Sequence, residues 1–181
     1  MKNFLYVDNS NVWIEGMHVA AVARGLAPDI WTAMNQKITD HSWKIDFGKL
    51  YEFAGGSRPE VGRAVLYGSR PPKNDSLWEI AKRKGFEVVV QDRNVRNKEK
   101  KIDTGIATDI VADSYELMDP KTDEITLVAG DADYVPTVER VRKRGLKFNV
   151  MFWDHAAREL RDSATAFISL NQWLEHLNVA R

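Results

Sequence analysis

Short apolar runs alternate with stretches of helical periodicity along this chain, and that alternation limits the fold more than any other feature. Phe4-Leu5-Tyr6-Val7, residues 61–67, residues 86–90, residues 124–129 and residues 146–152 read as strands. Helical patterns lie at 12–24, 46–54, 74–84, 103–118 and 134–144. A short helix near 156–161, an extended piece at Phe167-Ile168 and a terminal helix over 171–178 complete the series. Repetition of this kind builds a mostly parallel sheet with helices on both faces, because each crossover is right-handed. The expected fold is an α/β, three-layer α/β/α sandwich around a five- or six-stranded sheet. Residues 25–45 fit the pattern least and read as a loop or a short helical insertion. With 181 residues and neither repeat nor linker, one domain over 1–181 is the expectation.

In an open parallel sheet, ligands bind beyond the carboxyl ends of the strands. The acidic residues collect there. Asp8 ends the first strand, Asp131 and Asp133 follow the fourth in Ala129-Gly130-Asp131-Ala132-Asp133-Tyr134, and Asp103 opens the helix after the third. Carboxylates brought together repel unless a cation sits among them, and the usual cation is a divalent metal. Each acid also has a plainer reading. Asp8 or Ser10 can cap the next helix, Asp133 stands at an ordinary helix start, and Asp103 suits a helix N-terminus electrostatically. Asp109 reads as a supporting or a solvated acid, and Asp113 falls on the solvated face.

Basic residues share this edge. Arg70 follows the second strand, and Arg93, Arg96, Lys98, Lys100 and Lys101 fill a polar stretch, read as a loop, before Asp103. A cationic loop beside carboxylates suits a polyanion held against metal ions, although a solvated charged loop would look the same. Trp78, Trp153 and Trp173 fall at core-like positions, whereas Trp13, Trp31 and Trp43 include candidates for base stacking. The four histidines show no ligand spacing.

Bulk composition mainly excludes. Lys+Arg and Asp+Glu are both 26, so only a local patch can attract nucleic acid. The absence of cysteine rules out disulfides and thiolate zinc sites. The first apolar run stops at Asp8, too short for a signal peptide, and no run reaches membrane-spanning length. A cytoplasmic protein without membrane contact is expected.

Three pieces together resemble one family. Val7-Asp8-Asn9-Ser10-Asn11, Lys101-Ile102-Asp103 with Asp109, and Val128-Ala129-Gly130-Asp131-Ala132-Asp133-Tyr134 are similar, in order and spacing, to the NYN domain, a PIN-like branch of nucleases related to the LabA proteins. The resemblance extends over nearly the whole chain. It implies a PIN-like sandwich and metal-dependent ribonuclease activity. By the same resemblance Asp8, Asp103 and Asp131 would hold Mg²⁺ or Mn²⁺, with Asp133 in support and Asn11 as a polar partner, and a homodimer would be common. The chain departs from the pattern at Asn9-Ser10, where relatives have glycine and a bulky residue, and at Ala129, where serine is frequent.

The leading expectation is hydrolysis of phosphodiester bonds in single-stranded or loop RNA, with single-stranded DNA as another substrate. Asp8, Asp103, Asp131 and Asp133 would be catalytic, and Asn11, Arg70, Arg93, Lys98 and Lys101 would hold the substrate. A non-catalytic nucleic-acid-binding module is the alternative. A haloacid-dehalogenase-type phosphatase fits less well, because Ser10 stands where that chemistry has a second aspartate.

Overall fold

A computed structural model describes residues 1–69, 76–91 and 98–179, with the backbone alone for 98–101. Six strands form one parallel sheet: β1 (Asn3–Asp8), β2 (Val61–Ser69), β3 (Glu87–Gln91), β4 (Glu124–Val128), β5 (Lys147–Phe152) and β6 (Ala166–Ser169). Their order is β3-β2-β1-β4-β5-β6. The helices are α1 (Asn9–Ala23), α2 (Ile30–Gln36), α3 (Phe47–Gly55), α4 (Ser76–Arg83), α5 (Lys98–Glu116), α6 (Val135–Arg142) and α7 (Arg158–Ser163). Every strand pairing is parallel, a stricter outcome than the mostly parallel sheet expected, and the antiparallel bridge Ile45–Asn178 lies outside the strands.

Side-chain alternation along β1 divides the interior into two layers. Leu5 and Val7 enter a core with Val12 and Val19 of α1, Leu50 of α3, and Trp78 of α4. Phe4 and Tyr6 enter the opposite core with Ile106 and Ile110 of α5, Val138 of α6, and Leu160 of α7. Because β1 is covered on both faces, its sequence is a continuous apolar run rather than an alternating one.

Several boundaries move, each for a local reason. α1 starts at Asn9 rather than residue 12, because the Asp8 carboxylate accepts from the Asn11 N–H at 3.3 Å and caps the first turn. α5 starts at Lys98, so Lys98, Lys100 and Lys101 belong to its opening turns and not to a loop. Residues 171–178 form no α-helix: a 3-10 turn spans Asn171–Trp173 and further turns follow. Tertiary bonds replace helical ones there. The Trp43 indole N–H donates to the Leu174 carbonyl at 2.9 Å, and the Lys44 N–H donates to Asn178 Oδ1 at 3.0 Å. The stretch 25–45 is thereby ordered as α2 plus a segment that buries Trp43 and Ile45.

The tryptophans also change places. Trp43 is fully buried and meets Trp153 edge-on, whereas Trp173 is 38% exposed. Asp113 sits only 6% exposed inside the second core rather than in solvent. It accepts from the Tyr6 hydroxyl and from the Arg63 guanidinium, both at 2.6 Å.

Glycine at 16 is explained by that tryptophan pair. A Cβ there would stand 2.5 Å from the Trp43 ring and 2.8 Å from Trp153. Gly105, also helical, has open space around it among the described residues. Gly16→Ala should therefore cost about 1–3 kcal/mol through overpacking, despite a helix propensity gain. Gly105→Ala should stabilise by up to about 1 kcal/mol. Thermal unfolding of both variants checks the pair; a stabilised Gly16→Ala protein would contradict the packing argument.

Candidate metal centre

The strand order reverses between β1 and β4, since β1 leads outward to β2 and β4 leads the other way to β5. α1 covers one face and α6 the other, so a crevice opens beyond the carboxyl ends of these two strands. Val7 pairs with Val128, which sets Asp8 beside the beginning of the 129–134 turn.

Gly130 shapes that turn through space rather than through an unusual φ. Its N–H donates to Asn11 Oδ1 at 3.1 Å, and its carbonyl accepts from the Ala157 N–H at 2.9 Å. A Cβ at this position would strike the Phe152 ring. The turn is thus held against both α1 and the segment after β5. Asp131 accepts from the Asp133 N–H at 3.0 Å, fixing the two acids side by side.

One carboxylate oxygen each from Asp103, Asp131 and Asp133 lie within 4.8 Å of one another. Asp103 is half-buried, whereas Asp131 and Asp133 are exposed. Asp8 stands behind this trio, 6% exposed. The Tyr134 hydroxyl joins it to the group, donating toward Asp103 Oδ1 at 3.0 Å and Asp8 Oδ2 at 3.3 Å. Burial first, then the neighbouring Asp103 charge, pushes the Asp8 carboxyl up to about 7, against the opposing hydrogen bond from Asn11. Burial first, then the charges of Asp8 and Asp103, drives the Tyr134 phenol well above its ordinary value and keeps it a donor.

The structure thus brings together Asp8, Asn11, Asp103, Asp131 and Asp133. Arg70, Arg93 and Arg96 lie outside the described residues, as do the side chains of Lys98, Lys100 and Lys101, although Lys98 and Lys101 start the helix that carries Asp103. Sequence reading missed Tyr134, which looked like an ordinary apolar helix start; its one signal was a phenol following the acidic pair. Arg158 and Arg161 are exposed on α7, which packs against the 132–134 turn; Arg158 pairs with Asp162 at 3.7 Å, and Arg161 donates to the Asp154 carbonyl at 2.9 Å and lies over the Phe167 ring. Asp109, left open by the sequence, accepts from the Tyr67 hydroxyl at 2.6 Å.

These donors fit a hard divalent cation. Such ions take carboxylate and amide oxygens. Asp131 and Asp133 have no ion-pair partner among the described residues. Next to Asp8, the buried Asn9 Oδ1 has no hydrogen-bond donor.

Asp8 makes the metal-free protein pH-dependent. Its folded value, about 7, exceeds the ordinary 3.8, so the folded state keeps a proton that the unfolded chain releases. Stability falls as pH rises from 4 toward 7, then levels off. Asp8→Asn, still a competent cap, should match wild type near pH 4 and exceed it at pH 8 by about 2–4 kcal/mol in EDTA. Identical melting curves at pH 8 would contradict a buried, proton-holding Asp8.

The family described as NYN domain matches residues 10–171. The chain is similar in structure to a protein of unknown function from Vibrio parahaemolyticus RIMD 2210633, with a TM-score of 0.66 and 23% identity over 93% of this chain and 92% of that one. A 3-dehydroquinate dehydratase-like protein from Bifidobacterium longum aligns at a TM-score of 0.30 and 12% identity, over 64% of this chain and 94% of that one, too weakly to carry an argument. No curated protein matches. With the family match spanning most of its length and its three acidic segments gathered at one crevice, the chain belongs to the NYN domain family, a nuclease-like, PIN-like group.

Proposed function

We propose that this protein is a metal-dependent ribonuclease that hydrolyses phosphodiester bonds in single-stranded or loop RNA. The observation that carries the reading is the trio of carboxylates, Asp103, Asp131 and Asp133, within 4.8 Å at the point where the strand order reverses. Asp8, Asp103 and Asp131 would hold Mg²⁺ or Mn²⁺, with Asp133 in support. When bound, such an ion supplies Lewis acidity toward a phosphate group and toward water.

The remaining roles belong to the chain. Tyr134 holds Asp8 and Asp103 in a fixed relation through its hydroxyl. Asn11 acts by tying the acidic turn to α1, since its Oδ1 is occupied by the Gly130 N–H. Asp131 and Asp133 face solvent, where a phosphate can arrive. Arg158 is exposed on α7, which packs against the turn that carries Asp133, and would pair with the nucleic-acid backbone. Lys98, Lys101, Arg70 and Arg93 would extend that cationic track. A single strand suits the site, because exposed bases can turn away from a backbone laid across a sheet edge.

Labelled single-stranded RNA and matching DNA, incubated with Mg²⁺, Mn²⁺ or EDTA, test the proposal. Cleavage should need the metal, and Asp131→Asn should lower it by about 10²-fold or more. Binding without any cleavage of RNA or DNA would favour the non-catalytic module. Tyr134→Phe should weaken metal affinity about 10-fold, read by titrating Mn²⁺ in the absence of nucleic acid. An unchanged titration would remove Tyr134 from the site.

A further inference from the structure

A cavity of about 490 Å³ opens between α1, α2 and the segments that follow β5 and β6. Val19, Val22 and Ala23 of α1 form an apolar wall, and Trp31 of α2 stands at its rim. Trp31 lines the cavity yet remains 61% exposed. An indole left half in water forgoes the burial that stabilises most tryptophans. His155 meets Trp31 edge-on, with centroids 6.5 Å apart at 77°, and its Nε2 is locked to Glu15 Oε2 at 2.8 Å. His155 is thereby held in place beside the indole.

The rim is polar in a particular way. Asn171 Oδ1 accepts from the Asp154 N–H at 2.8 Å, which leaves its amide NH₂ without a partner among the described residues. The Asp154 carboxylate accepts from the Ser169 hydroxyl and is otherwise exposed. A flat aromatic ligand with donors and acceptors on its edge matches such a pocket. An aliphatic side chain would use the wall and waste the rim.

Position ties the cavity to the acidic crevice. The 154–157 turn carrying His155 is bonded to the acidic turn through the Ala157 N–H and the Gly130 carbonyl, at 2.9 Å. Val19, the first α1 residue to line the cavity, lies eleven residues beyond Asp8, about 16 Å along α1. That is about five nucleotides at a stacked spacing of roughly 3.4 Å.

We propose that this cavity is a nucleobase subsite: Trp31 stacks on one base of a single-stranded nucleic acid whose backbone crosses the acidic crevice. The proposal rests on the nuclease reading above. It makes Trp31 a substrate-binding residue remote from the reacting phosphate. Its loss should act on KM and leave kcat within about two-fold.

The test is steady-state cleavage of a labelled single-stranded RNA by wild type, Trp31→Ala, Trp31→Phe and Trp173→Ala, with anisotropy binding of the same RNA in EDTA. Trp31→Ala should raise KM and Kd about 10-fold or more. Trp31→Phe should recover most of that loss. Trp173→Ala, altering an exposed ring packed on Phe53 instead, should change neither value. An oligonucleotide carrying a run of abasic sites should give wild type the weakened values of Trp31→Ala. Wild-type cleavage with Kd and KM unmoved in Trp31→Ala would overturn the subsite alone. Binding that depends on Trp31, without cleavage, would keep the subsite and overturn the nuclease. A wild type that neither binds nor cleaves would overturn both.

Discussion

Mutual repulsion among carboxylates at one sheet edge is the constraint around which the structure is arranged. The parallel topology delivers Asp8 and Asp131 to the same crevice, and α5 adds Asp103 from the opposite layer. Four acids cannot all be ionised, buried and unpaired. The chain divides the problem by depth. Asp8 lies deep, where burial favours its protonated form and the Tyr134 hydroxyl reaches it. Asp131 and Asp133 stay in water, where charge costs little. A cation entering from solvent would meet the exposed pair first.

The placement of Asp103 depends on residues well away from the crevice. Three carboxylates on α5 each accept from a phenol: Asp103 from Tyr134, Asp109 from Tyr67 and Asp113 from Tyr6. The last also binds the part-buried Arg63 guanidinium at 2.6 Å. Isoleucines at 102, 106 and 110 fill the space between these bonds. Apolar contacts alone would allow the helix to slide or rotate, whereas directional bonds to charged acceptors fix one register. Asp103 is therefore aimed by a row of tyrosines, of which only Tyr134 belongs to the crevice.

The sheet was legible because its strands are buried on both faces and leave unbroken apolar runs, as in Phe4 to Val7. The acidic turn was legible because Gly130-Asp131-Ala132-Asp133 follows such a run directly. Periodicity failed where a residue's surroundings come from distant segments. Asp113 looks solvated on its own helix, and only Arg63 and Tyr6 from the sheet make its burial tolerable. Trp43 and Trp173 exchanged roles because the C-terminal segment folds back over residues 43–46 through bonds made largely by backbone groups, which side-chain periodicity does not register. The start of α5 was read late because lysines hide a helix N-terminus in what resembles a charged loop. Tyr134 was missed because a tyrosine serves equally as core and as donor, and the sequence does not tell which.

The contrast between the two sides of the crevice bears on the ion it would hold. Asp8 and Asp103 are held by a shared phenol, and Asp131 is pinned through its neighbour's N–H. The outer side, by comparison, is open. Calcium favours six to eight oxygen ligands in a flexible shell, which the acids here would have to supply largely by themselves. Magnesium keeps several of its waters and needs only one or two carboxylates plus phosphate oxygens. A rigid inner wall with a solvent-filled front suits the second arrangement, because the missing ligands are those that water and a nucleic-acid phosphate provide. Balanced overall charge is compatible with this, since exposed Arg158 sits on α7, which packs against the acidic turn. On the proposed function, attraction for a polyanion would be confined to one edge, where the carboxylates alone would repel the backbone.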